Sequence, residues 1–242
     1  ALQHSKQAVD WADTTSHVPT IIDAMSFRAE IAALRREFQE AQQWAANVRA
    51  LSAEHGLPTC LPLVTTIYEW ALSMETPSND VSPIREGLTL FEKTGNPLML
   101  LYYKACLAEV FGRIGRPDEG LAELEEMIET SRSFKLDCWN AVFYRLKGEL
   151  LLMLDKSDSA VAEIFFRQAI EISQKQEARS LELLAATSLA RLWQSQNKCQ
   201  DAYNLLSPIY NWFTEGFDTA DLKSAQILLD ELAEAEENKS NG

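Results

Sequence analysis

Evenly spaced prolines, with helical periodicity between them, confine this chain to a narrow set of folds. Pro19, Pro58 and Pro97 follow one another at a constant step of 39 residues, each at the head of a run with helical apolar spacing. A proline in the first turn of a helix loses nothing, because its missing N–H would have had no partner there. The turns before them are alike: Ser16-His17-Val18-Pro19, His55-Gly56-Leu57-Pro58 and Gly95-Asn96-Pro97. Continuing by nearly the same step reaches Asp137, Arg179 and Asp218, where further periodic runs begin. A fixed period of this length marks a repeat architecture. With only 9 Gly and 8 Pro, the prolines mostly between periodic runs, little remains to build sheet turns, so helices joined by short connections are expected.

Small residues form a second, independent pattern, in pairs 12 positions apart: Ala29/Ala41, Ala108/Gly120, Gly148/Ala160 and Ala190/Ala202. In a helix–turn–helix hairpin this spacing lets two antiparallel helices approach where neither carries bulk. Phe111, Leu151 and Trp193 each stand three residues after the first small position. The pattern resembles the tetratricopeptide signature. Leu107-Ala108 and Leu189-Ala190 supply its apolar-small step; Lys147-Gly148 departs from that step, and Ala71 paired with Pro83, a proline suited to a first helical turn, is another departure. Successive pairs lie 37 to 42 residues apart, beyond the standard period of about 34, which implies longer helices. The expected helices are 2–15, 19–34, 37–54, 59–74, 81–93, 97–114, 117–133, 137–154, 158–176, 179–196, 199–213 and 219–236, with polar turns at 115–118, 155–158 and 196–198.

Each pair exposes an apolar face that only a neighbouring pair can cover, so pairs stack. The expected fold is all-α: a tetratricopeptide-like α-α superhelix, a right-handed solenoid of about five helix pairs over 19–217. Residues 1–18 form a partial repeat, the second helix only. Residues 218–236 form a capping helix and 237–242 an acidic, polar tail. Asp218 or Thr219 can cap that last helix, Leu222, Leu229 and Leu232 share one face, and the acidic run 231–237 solvates the other. The unpartnered first helix and the absence of an initiating Met point to a longer parent with repeats upstream.

Charge and composition exclude several functions. A net charge of −14, with no Lys/Arg-rich run, repels phosphate backbones, so no nucleic-acid partner is expected. Cys60, Cys106, Cys138 and Cys199 make no CxxC motif and are expected as reduced, packed thiols. His4, His17 and His55 lie far apart, so neither a metal site nor another cofactor is expected. No run approaches a membrane span and no signal peptide opens the chain, so a cytoplasmic protein without membrane attachment is expected.

The string Tyr144-Arg-Leu-Lys-Gly-Glu-Leu-Leu-Leu152, Phe166-Arg-Gln-Ala-Ile-Glu-Ile172, Ser180-Leu-Glu-Leu183, Ala186-Thr-Ser-Leu-Ala-Arg-Leu-Trp193 and Tyr210-Asn-Trp-Phe-Thr-Glu-Gly-Phe-Asp-Thr219 carries a broader likeness. It resembles the C-terminal tetratricopeptide region of bacterial multidomain signalling ATPases, closely over about 110–232 and more loosely from residue 19. In those proteins a class III adenylate/guanylate cyclase or DNA-binding domain precedes an AAA-type ATPase and a helical-repeat tail. The resemblance implies a regulatory segment that is not itself an enzyme. The chain has neither a GxxxxGK[ST] nor a GxGxxG motif.

Catalytic groupings are weak. Glu123, Glu125, Glu126 and Glu129 read as a solvated helix face, and no histidine follows residue 55 to activate a nucleophile. Transferring tetratricopeptide geometry, in which the first helix of each pair lines a concave groove, selects Tyr68, Tyr102, Glu109, Arg145, Glu149, Thr187, Arg191 and Gln194. This mixture suits an extended peptide or charged ligand. The alternative is that Arg145 and Arg191 only neutralise Glu109 and Glu149 across adjacent helices. The Lys-and-Asn clamp of chaperone-binding members is absent at the equivalent positions. Trp44, Trp70, Phe111, Phe143, Phe165, Phe166 and Trp193 are expected in the core. Tyr210, Trp212, Phe213 and Phe217 either staple the cap to the preceding pair or, if exposed, form a docking patch. The expected partners are a protein, a peptide or upstream domains of the same chain. An oligomerisation scaffold and a small-ligand solenoid of a transcriptional regulator are the alternatives.

Overall fold

The computed structural model describes residues 2–154 and 159–240, with side chains as far as Ala235. Among these residues the regular structure is entirely helical. The helices are α1 (Leu2–Thr15), α2 (Val18–Leu34), α3 (Phe38–His55), α4 (Leu61–Glu75), α5 (Ser82–Glu92), α6 (Pro97–Arg113), α7 (Pro117–Phe134), α8 (Asn140–Leu152), α9 (Ser159–Lys175), α10 (Arg179–Ser195), α11 (Cys199–Tyr210) and α12 (Ala220–Ser240). Within each compact part of the chain successive helices pack against one another, and the fold is an all-α, tetratricopeptide-like arrangement of the α-α superhelix class. The expected turn at 155–158 lies outside the described residues.

Prolines begin helices much as their spacing implies, with one exception. Pro19, Pro83, Pro97 and Pro117 occupy the first two positions of α2, α5, α6 and α7. Pro58 does not open a helix: it sits in the preceding turn, its carbonyl accepting from Leu61 N at 3.2 Å, and Pro62 takes the helical position in α4. The helix expected over 137–154 starts as a 3-10 turn, Asp137–Trp139, before α8. There Asn140 accepts from Ser131 Oγ at 2.7 Å and donates to Asp137 at 3.2 Å, binding the turn to the end of α7. Helix α11 stops at Tyr210 rather than 213, just past Pro208, which supplies no N–H to the last turn. Thr219, of the two capping candidates, accepts from Leu222 N at 3.4 Å, and α12 runs past its expected end to Ser240.

The chain forms two compact units, residues 1–114 and 115–242, each with its own apolar core. In the first, α2, α4 and α6 lie side by side while α1, α3 and α5 alternate with them. Trp70, Ile67, Ile84, Leu107 and Phe111 fill its centre. Ala29 and Ala41 are fully buried where α2 meets α3. Between α4 and α5 a close approach is made at Gly87, whose missing Cβ would stand 2.6 Å from Thr66 Oγ1. Arg28 is buried and joins three helices. Its guanidinium donates to Ser5 on α1 at 3.0 Å and pairs with Glu40 on α3, where Trp44 Nε1 also donates to Glu40 at 3.3 Å. Burial alone would raise the Glu40 carboxyl; the Trp44 hydrogen bond and the Arg28 charge outweigh it and hold that carboxyl below its usual range.

In the second unit α8, α10 and α12 lie side by side, and α9 and α11 pack between them from the other layer. Phe166, Leu189, Ala190, Ala202, Leu206, Ala225 and Leu232 are buried in its core. Ala160 does not perform the role its spacing suggested: it is exposed at the head of α9, and Ala162 is buried instead. The contact at Gly148 is with Phe166, whose ring would lie 2.6 Å from an added Cβ. Of the seven aromatics expected inside, Trp70, Phe111, Phe143, Phe166 and Trp193 are buried, whereas Trp44 and Phe165 are half-buried. The cysteines depart from a uniform packed set, because Cys138 is exposed and Cys60 is half-buried, donating to Asp23 at 3.3 Å.

Candidate functional site

Side chains from three adjacent helices make a shared face in the second unit. Helix α8 contributes Glu149 and Leu152, followed by Met153; α10 contributes Ser188, Arg191, Gln194 and Ser195; α12 contributes Ser224, Ile227 and Glu231. On α10 and α12 these positions recur at three, four and seven residues, the spacing that keeps side chains on one helical face. A cavity of about 470 Å³ lies between α8 and α10, with Phe166 in its wall, and one of about 300 Å³ lies between α10 and α12. Arg191 borders both.

The polar groups here are wired in a definite order. Arg145 is buried and donates to Glu149 at 2.7 Å, and Ser188 donates to the same carboxylate oxygen at 2.6 Å. Gln194 donates to Glu231 at 3.0 Å. Arg191 donates to the Ser224 hydroxyl at 2.5 Å. Glu149, Arg191 and Gln194, three of the sequence-selected positions, therefore line the cavities, and Arg145 sits beneath as support. Thr187 does not reach the face: it is buried, its hydroxyl turned back on the Leu183 carbonyl at 2.7 Å. Arg145 does neutralise Glu149, but along its own helix and not across adjacent ones, and Glu109 pairs with Arg36.

In the first unit Tyr68, Tyr102 and Glu109 are half-buried on α4 and α6. Arg49 lies 5.0 Å over the Tyr68 ring. Glu109 receives Arg36 at 2.5 and 3.4 Å, and Tyr103 donates to Glu30 at 3.0 Å. Since α4 packs between α2 and α6, both bonds span from the end or flank of α2 to α6 across the middle helix. Burial pushes the Tyr102 phenol well up, with nearby Cys106 and Glu109 adding to it and Arg36 opposing it. Burial likewise raises the Glu30 carboxyl against the Tyr103 hydrogen bond.

The aromatic group after α11 is split. Trp212 and Phe217 are exposed, Tyr210 and Phe213 half-buried. Tyr210 packs on Phe217 with ring centres 5.9 Å apart, and Arg179 covers Trp212 at 5.3 Å. Among the described residues no group of three or more His, Cys, Asp or Glu is placed to hold a metal, and no helix is long and apolar enough to cross a membrane.

Sequence reasoning missed Arg36, Met153, Ser188, Ser224, Ile227 and Glu231. For α12 the signal was present: Ser224, Ile227, Leu228 and Glu231 follow the same stripe as α10. Glu231 is exposed, as its place in the acidic run implies, and it also accepts from Gln194 and lines a cavity.

No family model matches the chain, and no curated protein sequence matches it. Among solved structures, the chain is similar to the crystal structure of NprR in complex with its cognate peptide NprX, with a TM-score of 0.75 at 12% identity. The similarity covers 94% of this chain and 67% of that one. At that identity the likeness is one of fold.

Proposed function

We propose that this chain is a peptide-binding helical-repeat module whose site is the α8–α10–α12 face. The observation that carries the reading is the pair of cavities astride Arg191, lined by groups of both charges and by exposed apolar side chains. Met153 and Ile227 are 53% and 59% exposed there, an arrangement suited to apolar side chains of an incoming segment. The bound peptide in the similar NprR structure supports the same reading. Binding, rather than chemistry on a substrate, is the proposed activity. The exposed Trp212 and Phe217 form a second, separate contact surface in this proposal.

Binding would serve regulation. The likeness of about 110–232 to the tails of bacterial signalling ATPases and cyclase-like proteins supports a segment that reports peptide or protein binding to catalytic domains of a larger chain. An antibody to this chain would detect, in source cells, a species well above its 27.3 kDa; a band at that mass would remove the larger parent.

The site itself is tested by selecting binders to the full chain from a random linear peptide library and measuring affinity by fluorescence anisotropy. Met153→Arg and Ile227→Arg fill the two cavities from exposed positions, and each is expected to weaken the selected peptides by about tenfold or more, the order of a lost anchor contact. Peptides indifferent to both substitutions would place the site elsewhere.

A further inference from the structure

Arg191 stands between the two cavities with an unusual set of neighbours. Its guanidinium meets the neutral Ser224 hydroxyl and, among the described residues, no carboxylate at ion-pair distance. The carboxylates that share its cavities are engaged by other donors: Glu149 by Arg145 and Ser188, Glu231 by Gln194. Other arginines in the two units meet carboxylates directly, as Arg36 meets Glu109 and Arg145 meets Glu149. In a chain with 36 acidic and 22 basic side chains, this exposed arginine faces a hydroxyl instead. A guanidinium presents five donors in a planar fork that matches a carboxylate, and one hydroxyl satisfies little of that capacity.

We infer that Arg191 anchors an acidic side chain, Asp or Glu, of an extended peptide whose neighbouring apolar side chains seat in the cavities on either side. The inference rests on the α8–α10–α12 face being a peptide site. Packed helices lie about 8–10 Å apart, and an extended chain advances about 3.3 Å per residue. A peptide crossing α10 therefore sets side chains into the two grooves about three residues apart, with the acidic residue over the ridge between them. The cavities flank Arg191 on both sides, so an internal acidic side chain uses both, whereas a C-terminal carboxylate at Arg191 would leave one empty.

The test uses the full chain and a random nonapeptide library tethered at its C-terminus. Selected sequences are expected to carry Asp or Glu with apolar residues one to two positions away on each side. Remade as C-terminal amides they keep their affinity; changing the acid to its amide weakens them by about tenfold or more, as for a lost charged hydrogen bond. Arg191→Gln produces the same loss, the two changes together cost little beyond either one, and Arg191→Glu regains binding when the peptide acid becomes Lys. Because Arg191 is exposed, these variants are expected to melt like the wild type, which thermal unfolding checks. Peptides that need Met153 and Ile227 but ignore Arg191 and their own acid overturn this anchor and leave the peptide site standing. Sensitivity only to a free C-terminus, found with untethered peptides, also overturns it, and a library that yields no binder removes both the anchor and the site.

Discussion

At Gly148 a single missing methyl group connects packing to the candidate site. An added Cβ would stand 2.6, 2.8 and 3.0 Å from three atoms of the Phe166 ring, which is fully buried and forms part of the larger cavity wall. The ring can yield only by moving toward that cavity or by forcing α8 and α9 apart. Gly148→Ala is thus expected to destabilise the second unit by about 1–3 kcal/mol, the usual cost of overpacking, despite alanine's better helix propensity. Urea unfolding measures the first effect, and weaker binding of selected peptides the second. A gain in stability would show that the close approach does not constrain this pair. The site residues follow a related register: Glu109, Glu149 and Arg191 each come directly after a small residue, Ala108, Gly148 and Ala190. The reversal to a cation at the third is visible in the sequence. Which donors already occupy Glu149 and Glu231 is not, since Ser188 and Gln194 reach them from another helix.

Helix ends in this chain share a device that side-chain identity conceals. After α2, α3, α7, α9 and α10 the chain turns through a left-handed residue, and the next N–H closes on a carbonyl five residues back: Glu37 on Ala32, Leu57 on Ser52, Leu136 on Ser131, Ala178 on Ser173 and Lys198 on Trp193, each at 2.9 Å. Only Gly56 is suited to that conformation by lacking a Cβ; Arg36, Lys135, Glu177 and Asn197 adopt it at φ of 55 to 60°. A non-glycine residue there costs about 1–2 kcal/mol, partly offset in any glycine replacement by the greater freedom of the unfolded chain. Glu177→Gly, at an exposed position, is therefore expected to stabilise the protein by up to about 1 kcal/mol, read from the urea midpoint at constant m. A loss would mean that the Glu177 side chain contributes more than its backbone conformation costs.

Two separate cores make the whole molecule divisible. Helical-repeat proteins gain their stability from neighbouring elements, so each unit with its own core is a candidate to fold by itself. Residues 115–242 expressed alone are expected to be helical and to bind the selected peptides with affinity close to that of the full chain. Residues 1–114 are expected to fold without binding them, because Glu109 is held by Arg36 and Glu30 by Tyr103. Circular dichroism and anisotropy check both fragments, and binding by residues 1–114 would move the site out of the second unit.

Fold class was legible in the sequence because helical repeats depend on short-range information: apolar periodicity, small residues at regular steps and prolines at helix starts. Those features determined an all-α repeat of paired helices, together with most of its helix positions. Side-chain partnership was not legible. Ala160 and Ala162 differ by two positions on one helix, yet only packing against α8 decides which is buried. Likewise Pro58 and Pro62 both satisfy the local preference for a helix start, and the turn geometry selects the second. Tertiary structure alone decided that Thr187 turns inward, that Glu231 faces a cavity, and that Arg191 stands between two cavities opposite a hydroxyl. Each of these depends on residues about 30 or more positions away, or on a helix rotation that periodicity leaves loose, and only the packed structure fixes both.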